Sequence, residues 1–167
     1  MFLSAFLAAA VAQAPPADPS QPPPPSASIV SQLVNCTAAP NALESALRGV
    51  TTGSVIHVDP VTPCLLGSQV VVDRVDGLEM ACWDSSTGQG CADGTMATVQ
   101  TTSAIEVGLV FKSCAHFLAR GISFVDFGVK HQAATGGTTV DNSTYDSCDF
   151  TDAPGTALVR SSALEPQ

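Results

Sequence analysis

Asp126, Asp149 and Asp152 are the residues of this chain whose type and spacing come nearest to doing chemistry. They lie in two similar segments, Arg120-Gly121-Ile122-Ser123-Phe124-Val125-Asp126 and Tyr145-Asp146-Ser147-Cys148-Asp149-Phe150-Thr151-Asp152. In each, an apolar or small residue stands two places before a Phe, and an Asp stands two places after it. Strand side chains alternate, so Ile122 and Phe124 face one way, as do Cys148 and Phe150. The segments are about 26 residues apart, within the roughly 20–50 residue spacing of stacked repeats. Stacked strands lie about 4.8 Å apart, so the three carboxylates could align at one edge of successive turns. Such a column could take calcium, which needs about six to eight oxygen ligands. It could also supply the carboxylates, about 5–9.5 Å apart, that glycoside hydrolysis requires. The competing reading, which the sequence favours, makes these Asp residues turn formers whose side chains bond nearby amides.

Other reactive side chains are scattered. Arg120 precedes a strand, where it could remove a proton or simply be a solvated turn residue. His57, His116 and His131 are far apart, and no Ser/His/Asp or Cys/His arrangement is legible. Trp83 and Tyr145 could stack on a sugar ring, although Trp83 follows Cys82 and is better placed to cover a disulfide. Six cysteines, Cys36, Cys64, Cys82, Cys91, Cys114 and Cys148, point to disulfides whose connectivity the sequence does not fix. Cys82 and Cys91 bracket the turn-forming Ser85-Ser86-Thr87-Gly88-Gln89-Gly90 and form the best-supported pair. Zinc is disfavoured, because no two cysteines have close Cys-x-x-Cys spacing and none lies beside a His. Asn35-Cys36-Thr37 and Asn142-Ser143-Thr144 are N-glycosylation sequons. A disulfide at Cys36 would compete with a glycan at Asn35.

Composition narrows the setting. The chain has 167 residues and a formal net charge of −9, with 6 Lys and Arg against 15 Asp and Glu. The basic residues are spread out, which argues against a nucleic-acid partner. Acidic polysaccharides would be repelled unless calcium bridged the two. Residues 1–14 read as a signal peptide, with an apolar run ending in Ala12-Gln13-Ala14, although the segment lacks Lys and Arg. The run is too short for a bilayer, which needs about 20 residues, so no membrane span is expected in the mature chain. Residues 15–35 read as a Pro-rich linker, since proline has no amide donor and a fixed φ.

Residues 36–167 must hold the folded domain. Residues 38–50 are the best helix candidate, with Leu43, Ala46, Leu47 and Val50 at helical spacing and Asn41 and Glu44 placed as a capping box. Short β-rich runs follow at 54–58, 69–73, 78–82, 97–101, 105–107, 109–111, 121–126, 147–150 and 157–159. The chain is therefore expected to be all-β. A sandwich calls for antiparallel hairpins, and Asp76-Gly77 and Asp93-Gly94 are its nearest turn signals. A parallel β-helix calls for stacked coils and a cap over the first.

Ala42-Leu43-Glu44-Ser45-Ala46-Leu47 followed by Gly53-Ser54-Val55-Ile56-His57-Val58 resembles the start of the right-handed β-helix of the pectin-lyase-like superfamily. Gly121-Ile122-Ser123-Phe124 and Ser147-Cys148-Asp149-Phe150 are similar to coil repeats of secreted β-helix proteins, including the polymorphic outer-membrane-protein type. That type has Asn three residues after its Phe, where this chain has Phe127 and Ala153, and its Gly-Gly-Ala-Ile is matched only by Gly136-Gly137-Thr138-Thr139. The resemblance covers roughly residues 36–160 and implies a parallel β-helix solenoid with an N-terminal capping helix. Four or five coils would fit. The last has no evident cap, which suggests a solenoid truncated at its C-terminus or covered by a partner, with end-to-end self-association as the hazard.

Enzymes of this superfamily use clustered carboxylates and calcium with an Arg base, or paired aspartates. Their Asn-Thr-Asp, Asp-Asp, Gly-His-Gly, Arg-Ile-Lys and Trp-Ile-Asp-His signatures do not occur here. The expectation is therefore a secreted or cell-surface β-helix module, non-catalytic, contacting carbohydrate or protein, without a resident cofactor unless calcium binds. The alternatives are a polysaccharide lyase or glycoside hydrolase using Asp126, Asp149, Asp152 or Arg120, and a purely structural solenoid segment.

Overall fold

The computed structural model describes residues 30–102, 105–132, 142–153 and 158–161. The signal-peptide run and the proline-rich stretch up to residue 29 lie outside the described residues, as does Gly136-Gly137. One helix, α1 (Ala42–Arg48), accompanies fourteen strands among the described residues. Five strands form one ladder, sheet A: β1 (Ser31–Val34), β2 (Val55–Val58), β5 (Glu79–Asp84), β9 (Leu118–Arg120) and β12 (Thr144–Asp146). Sheet B orders β3 (Cys64–Leu66), β7 (Ala97–Thr101), β10 (Ile122–Val125) and β13 (Asp149–Thr151). Sheet C orders β4 (Val70–Asp73), β8 (Val107–Lys112), β11 (Gly128–Gln132) and β14 (Leu158–Ser161). From β2 onward the chain visits sheets A, B and C in rotation, and every pairing within the three ladders is parallel. The short β6 (Gln89–Gly90) folds back on β5 as an antiparallel pair. This all-parallel pairing rules out the antiparallel sandwich.

Alternation decides which side chains enter the core. In β10, Ile122 and Phe124 are fully buried while Ser123 and Val125 are half-buried. The two similar segments of the sequence stack as expected: Phe124 pairs in register with Phe150, and their rings lie 5.0 Å apart. Above Phe124 the same column continues through Val99 to Cys64. Sheet A contributes Ile56, Met80 and Ala119, and sheet C contributes Val70, Leu109 and Val129. Each face hides little apolar area by itself, so burial is completed only by the strands stacked above and below.

The corners are set by residues in the left-handed region. Gly121 and Ser147 take φ 62° and 53° between sheets A and B, and Asp126 and Asp152 take 65° and 53° between B and C. Arg74, Ser113 and His116 do the same on the way back to sheet A. Such a backbone costs a non-glycine residue roughly 1–2 kcal/mol. It is tolerated because the neighbouring strand in the ladder fixes it: the Gly121 amide donates to the Asp146 carbonyl, and the Asp126 amide to the Thr151 carbonyl.

Several boundaries differ from expectation. The helix spans only seven residues, and Asn41 makes no side-chain capping bond. Glu44 does not close a capping box; it accepts from the Gly67 amide, the Ser68 hydroxyl and Arg48. The linker expected through residue 35 ends sooner, since Ser31–Val34 pairs with β2. The runs at 105–107 and 109–111 are one bulged strand, and 147–150 divides at Ser147, with β12 before it and β13 after it.

The helix is thus held to the turn between β3 and β4 by a carboxylate. Bonds from Arg48 and then Ser68 hold the Glu44 carboxyl below its ordinary value of 4.5. A carboxylate with a lowered native pKa stabilises the fold above its unfolded pKa, and that contribution is lost as pH falls through the lowered native value. Glu44→Gln should therefore remove the part of acid sensitivity that develops below about pH 4.3. Urea midpoints for both proteins at neutral and acidic pH will converge on acidification. Parallel curves would contradict the clamp.

Gly108 marks a second constraint. The ladder between β8 and β11 shifts register here, pairing Val107 with Gly128 but Leu109 with Val129. Gly108 is the extra residue, and a Cβ on it would lie 2.5 Å from the buried ring of Phe127. That ring packs edge-on against Phe124 and has no room to retreat. Gly108→Ala should cost about 1–3 kcal/mol, the usual price of overpacking. It will lower the urea midpoint while leaving the slope unchanged. An unchanged midpoint would mean that Phe127 does not cover the bulge.

Candidate functional site

Among the described residues, a concavity lies at the corner between sheets A and B. β5 runs out past the sheet edge, turns at 85–88, returns as β6 and is clamped by the Cys82–Cys91 disulfide. The chain then makes a tight turn, with the Thr95 amide donating to the Ala92 carbonyl and Gly94 at φ 81°. This overhang covers Gly121, which forms the floor. A Cβ there would approach Cys82 Cβ to 3.2 Å, and φ is 62°, so glycine is needed on two counts.

A cleft of about 220 Å³ results, lined by Asp93, Arg120, Asp146 and Ser147 together with the disulfide loop. A second hollow of about 290 Å³ adjoins it through Gly94, Thr95 and Ser147, and adds Met96, Cys148 and Asp149. Arg120 and Asp146 are register partners on the outer face of sheet A, with Nε 3.3 Å from Oδ2. Both side chains are more than half exposed, so solvent screens the pair and it adds little stability. Its consequence is positional, because it sets a donor and an acceptor side by side at the cleft mouth.

The three aspartates do not form one column. Asp126 and Asp152 follow β10 and β13, paired neighbours in sheet B, and both are left-handed. Asp149 stands on sheet B, beside Ser123. Each bond they make is local or structural. Asp126 accepts from the Gln100 side chain at 2.8 Å, while Asp149 accepts from the Phe150 amide and the Thr151 hydroxyl. Among the described residues, no group of three or more His, Cys, Asp or Glu side chains is arranged to hold a metal ion.

The aromatic candidates have other partners. Trp83 stacks flat on His57, with centroids 4.1 Å apart and planes within 5°. The pair sits on the outer face of sheet A; Trp83 is the strand partner of Gly90, which lines the cleft, and neither ring lines it. Tyr145 turns inward instead. Its hydroxyl lies 2.5 Å from His131 Nε2, and Ser143 Oγ lies 3.1 Å from His131 Nδ1. His131 is 3% exposed and rests against Phe111. A serine–imidazole pair of this kind was not legible in the sequence, since strand alternation had to bring β11 and β12 together first. It is enclosed by Phe111, Phe117 and Tyr145 and braces the core. His116 pairs with Asp76 at 2.8 Å on the surface.

Two disulfides form, Cys36–Cys64 and Cys82–Cys91. Cys114 and Cys148, expected to join disulfides, are not disulfide-bonded. Cys114 is buried near sheet C, its thiol directed at the Val72 carbonyl, whereas Cys148 precedes β13 in sheet B. Their separate columns keep them apart. Burial pushes the Cys148 thiol up, and nearby Asp146 adds to the shift, so it stays protonated at neutral pH. Asn35 and Asn142 are both exposed, and Asn35 accepts the Thr37 amide as a local turn. No described helix is long and apolar enough to cross a membrane. No protein-family model, curated protein or solved structure matches the chain.

Proposed function

We propose that this chain is a secreted or cell-surface right-handed parallel β-helix of the pectin-lyase-like kind, which contacts carbohydrate through its outer face and does not turn it over. The rotation of the chain through three parallel ladders supports the architecture. Two disulfides and an apolar N-terminal run ending in Ala12-Gln13-Ala14 support an oxidising, extracellular setting. Exposed Asn142 would carry an N-glycan in a eukaryotic secretory route, whereas the Cys36–Cys64 disulfide competes with one at Asn35.

The observation that carries the functional reading is the cleft beside the Cys82–Cys91 loop. It is open, presents both polar and apolar surface, and its lining residue Gly90 is the strand partner of Trp83. Arg120 and Asp146 are paired with each other, and Asp126 and Asp149 are held by structural hydrogen bonds. Sugar contact needs such positioned donors and acceptors. Hydrolysis needs a carboxylic acid and a base free to face one bond. A lyase or hydrolase is the second reading, favoured by Arg120 and Asp146 sharing one cleft.

A depolymerisation screen of the purified chain tests this reading. Pectic, alginate-like and neutral glycans are incubated with and without calcium. The expected result is binding without new unsaturated or reducing ends. New ends that vanish in Asp149→Asn or Arg120→Ala would make the protein an enzyme. Self-association with no binding to any glycan would favour a structural segment.

A further inference from the structure

Resting on the reading of this protein as a glycan-contact module, we infer that the cleft takes a neutral N-acetylated hexosamine, with the sugar hydroxyls in the first hollow and the acetamido methyl in the second. Charge selects against acidic sugars. Asp93, Asp146 and Asp149 line the two hollows, and Arg120, the cation of the first hollow, already faces Asp146. A uronate carboxylate would meet net negative charge inside and a chain of net charge −9 around it.

The hollows also differ in character. The first presents a guanidinium, two carboxylates and the Ser147 hydroxyl, a set able to donate to and accept from several sugar hydroxyls. The second is lined by Met96, Cys148 and Asp149 with Gly94, Thr95 and Ser147, and most of its surface is apolar. Met96 is 37% exposed although it is apolar, and it packs no core. The uncharged Cys148 thiol adds to that apolar lining. Together the hollows are of the size that holds a small ligand. A ring with a methyl-ended substituent matches a hollow with polar groups opening into an apolar one.

Calorimetry on the full chain decides it. The probes are the β-1,4-linked tetramers of N-acetylglucosamine and of glucose, and the α-1,4-linked tetramer of galacturonate. The first two are neutral and differ in the acetamido group, which should favour the N-acetylated tetramer about tenfold. Met96→Asp, a surface change, should abolish that preference while leaving the thermal midpoint intact. Arg120→Ala should weaken both neutral tetramers. Equal affinity for the two neutral tetramers, or tighter binding of galacturonate, would overturn the inference. Glycan binding indifferent to Met96→Asp and Arg120→Ala would overturn it while leaving glycan contact elsewhere on the chain. Failure of every tetramer and of every glycan in the wider screen would remove the underlying reading as well.

Discussion

Phe124→Ala will destabilise the protein by about 3–5 kcal/mol, the usual cost of emptying a large buried aromatic site. Phe124 is fully buried at the middle of sheet B. Its ring stacks on Phe150 at 5.0 Å and meets Phe127 edge-on at 5.9 Å. Val99 and Phe150 are its register partners on either side, so its neighbours are held by backbone ladders and cannot close over the void. Ser123→Ala, one residue away and half-buried on the outer side, should change stability by less than about 0.5 kcal/mol. Urea unfolding of the two variants separates the inward position from the outward one. Equal losses would contradict the register.

Removal of the Cys36–Cys64 bridge will cost about 2–4 kcal/mol, more than removal of Cys82–Cys91. The first closes a separation of 28 residues and joins the chain near β1 to β3, and the helix lies between its ends. The second closes 9 residues within one hairpin. A longer loop loses more unfolded-state freedom when closed, although the dependence is logarithmic. Paired Cys→Ala variants compared by thermal midpoint should show this order. The smaller loss has the larger functional effect, since the Cys82–Cys91 loop forms the roof of the cleft. A reversed order would mean that β1 and β3 are not braced by Cys36–Cys64.

The repeat was legible because Phe124 and Phe150 share a local pattern, and the hairpin disulfide because glycine and serine fill the loop between its cysteines. The strands that escaped notice have weak inward faces. β9 sends in only Ala119, and β11 places buried His131 beside outward Lys130. A buried histidine reads as polar in any alternation pattern, although Ser143 and Tyr145 satisfy it. β3 is three residues long and its Cys64 is claimed by a disulfide. The carboxylates misled for a related reason. Asp126 and Asp152 mark a corner where left-handed backbone is required, and Asp is among the residues that tolerate it. The cleft itself was hidden, because Arg120, Asp146 and Asp93 meet only after β5, β9 and β12 pair in sheet A and the hairpin folds over them.

The most direct measurement is retention on an immobilised glycan panel, run in parallel for the intact chain and Arg120→Ala at matched thermal stability. The account predicts that the intact chain is retained on at least one neutral glycan, that the glycan is recovered unshortened, and that Arg120→Ala is retained less. Retention on none of the glycans, or retention equal for both proteins, would contradict a carbohydrate-contact site in this cleft.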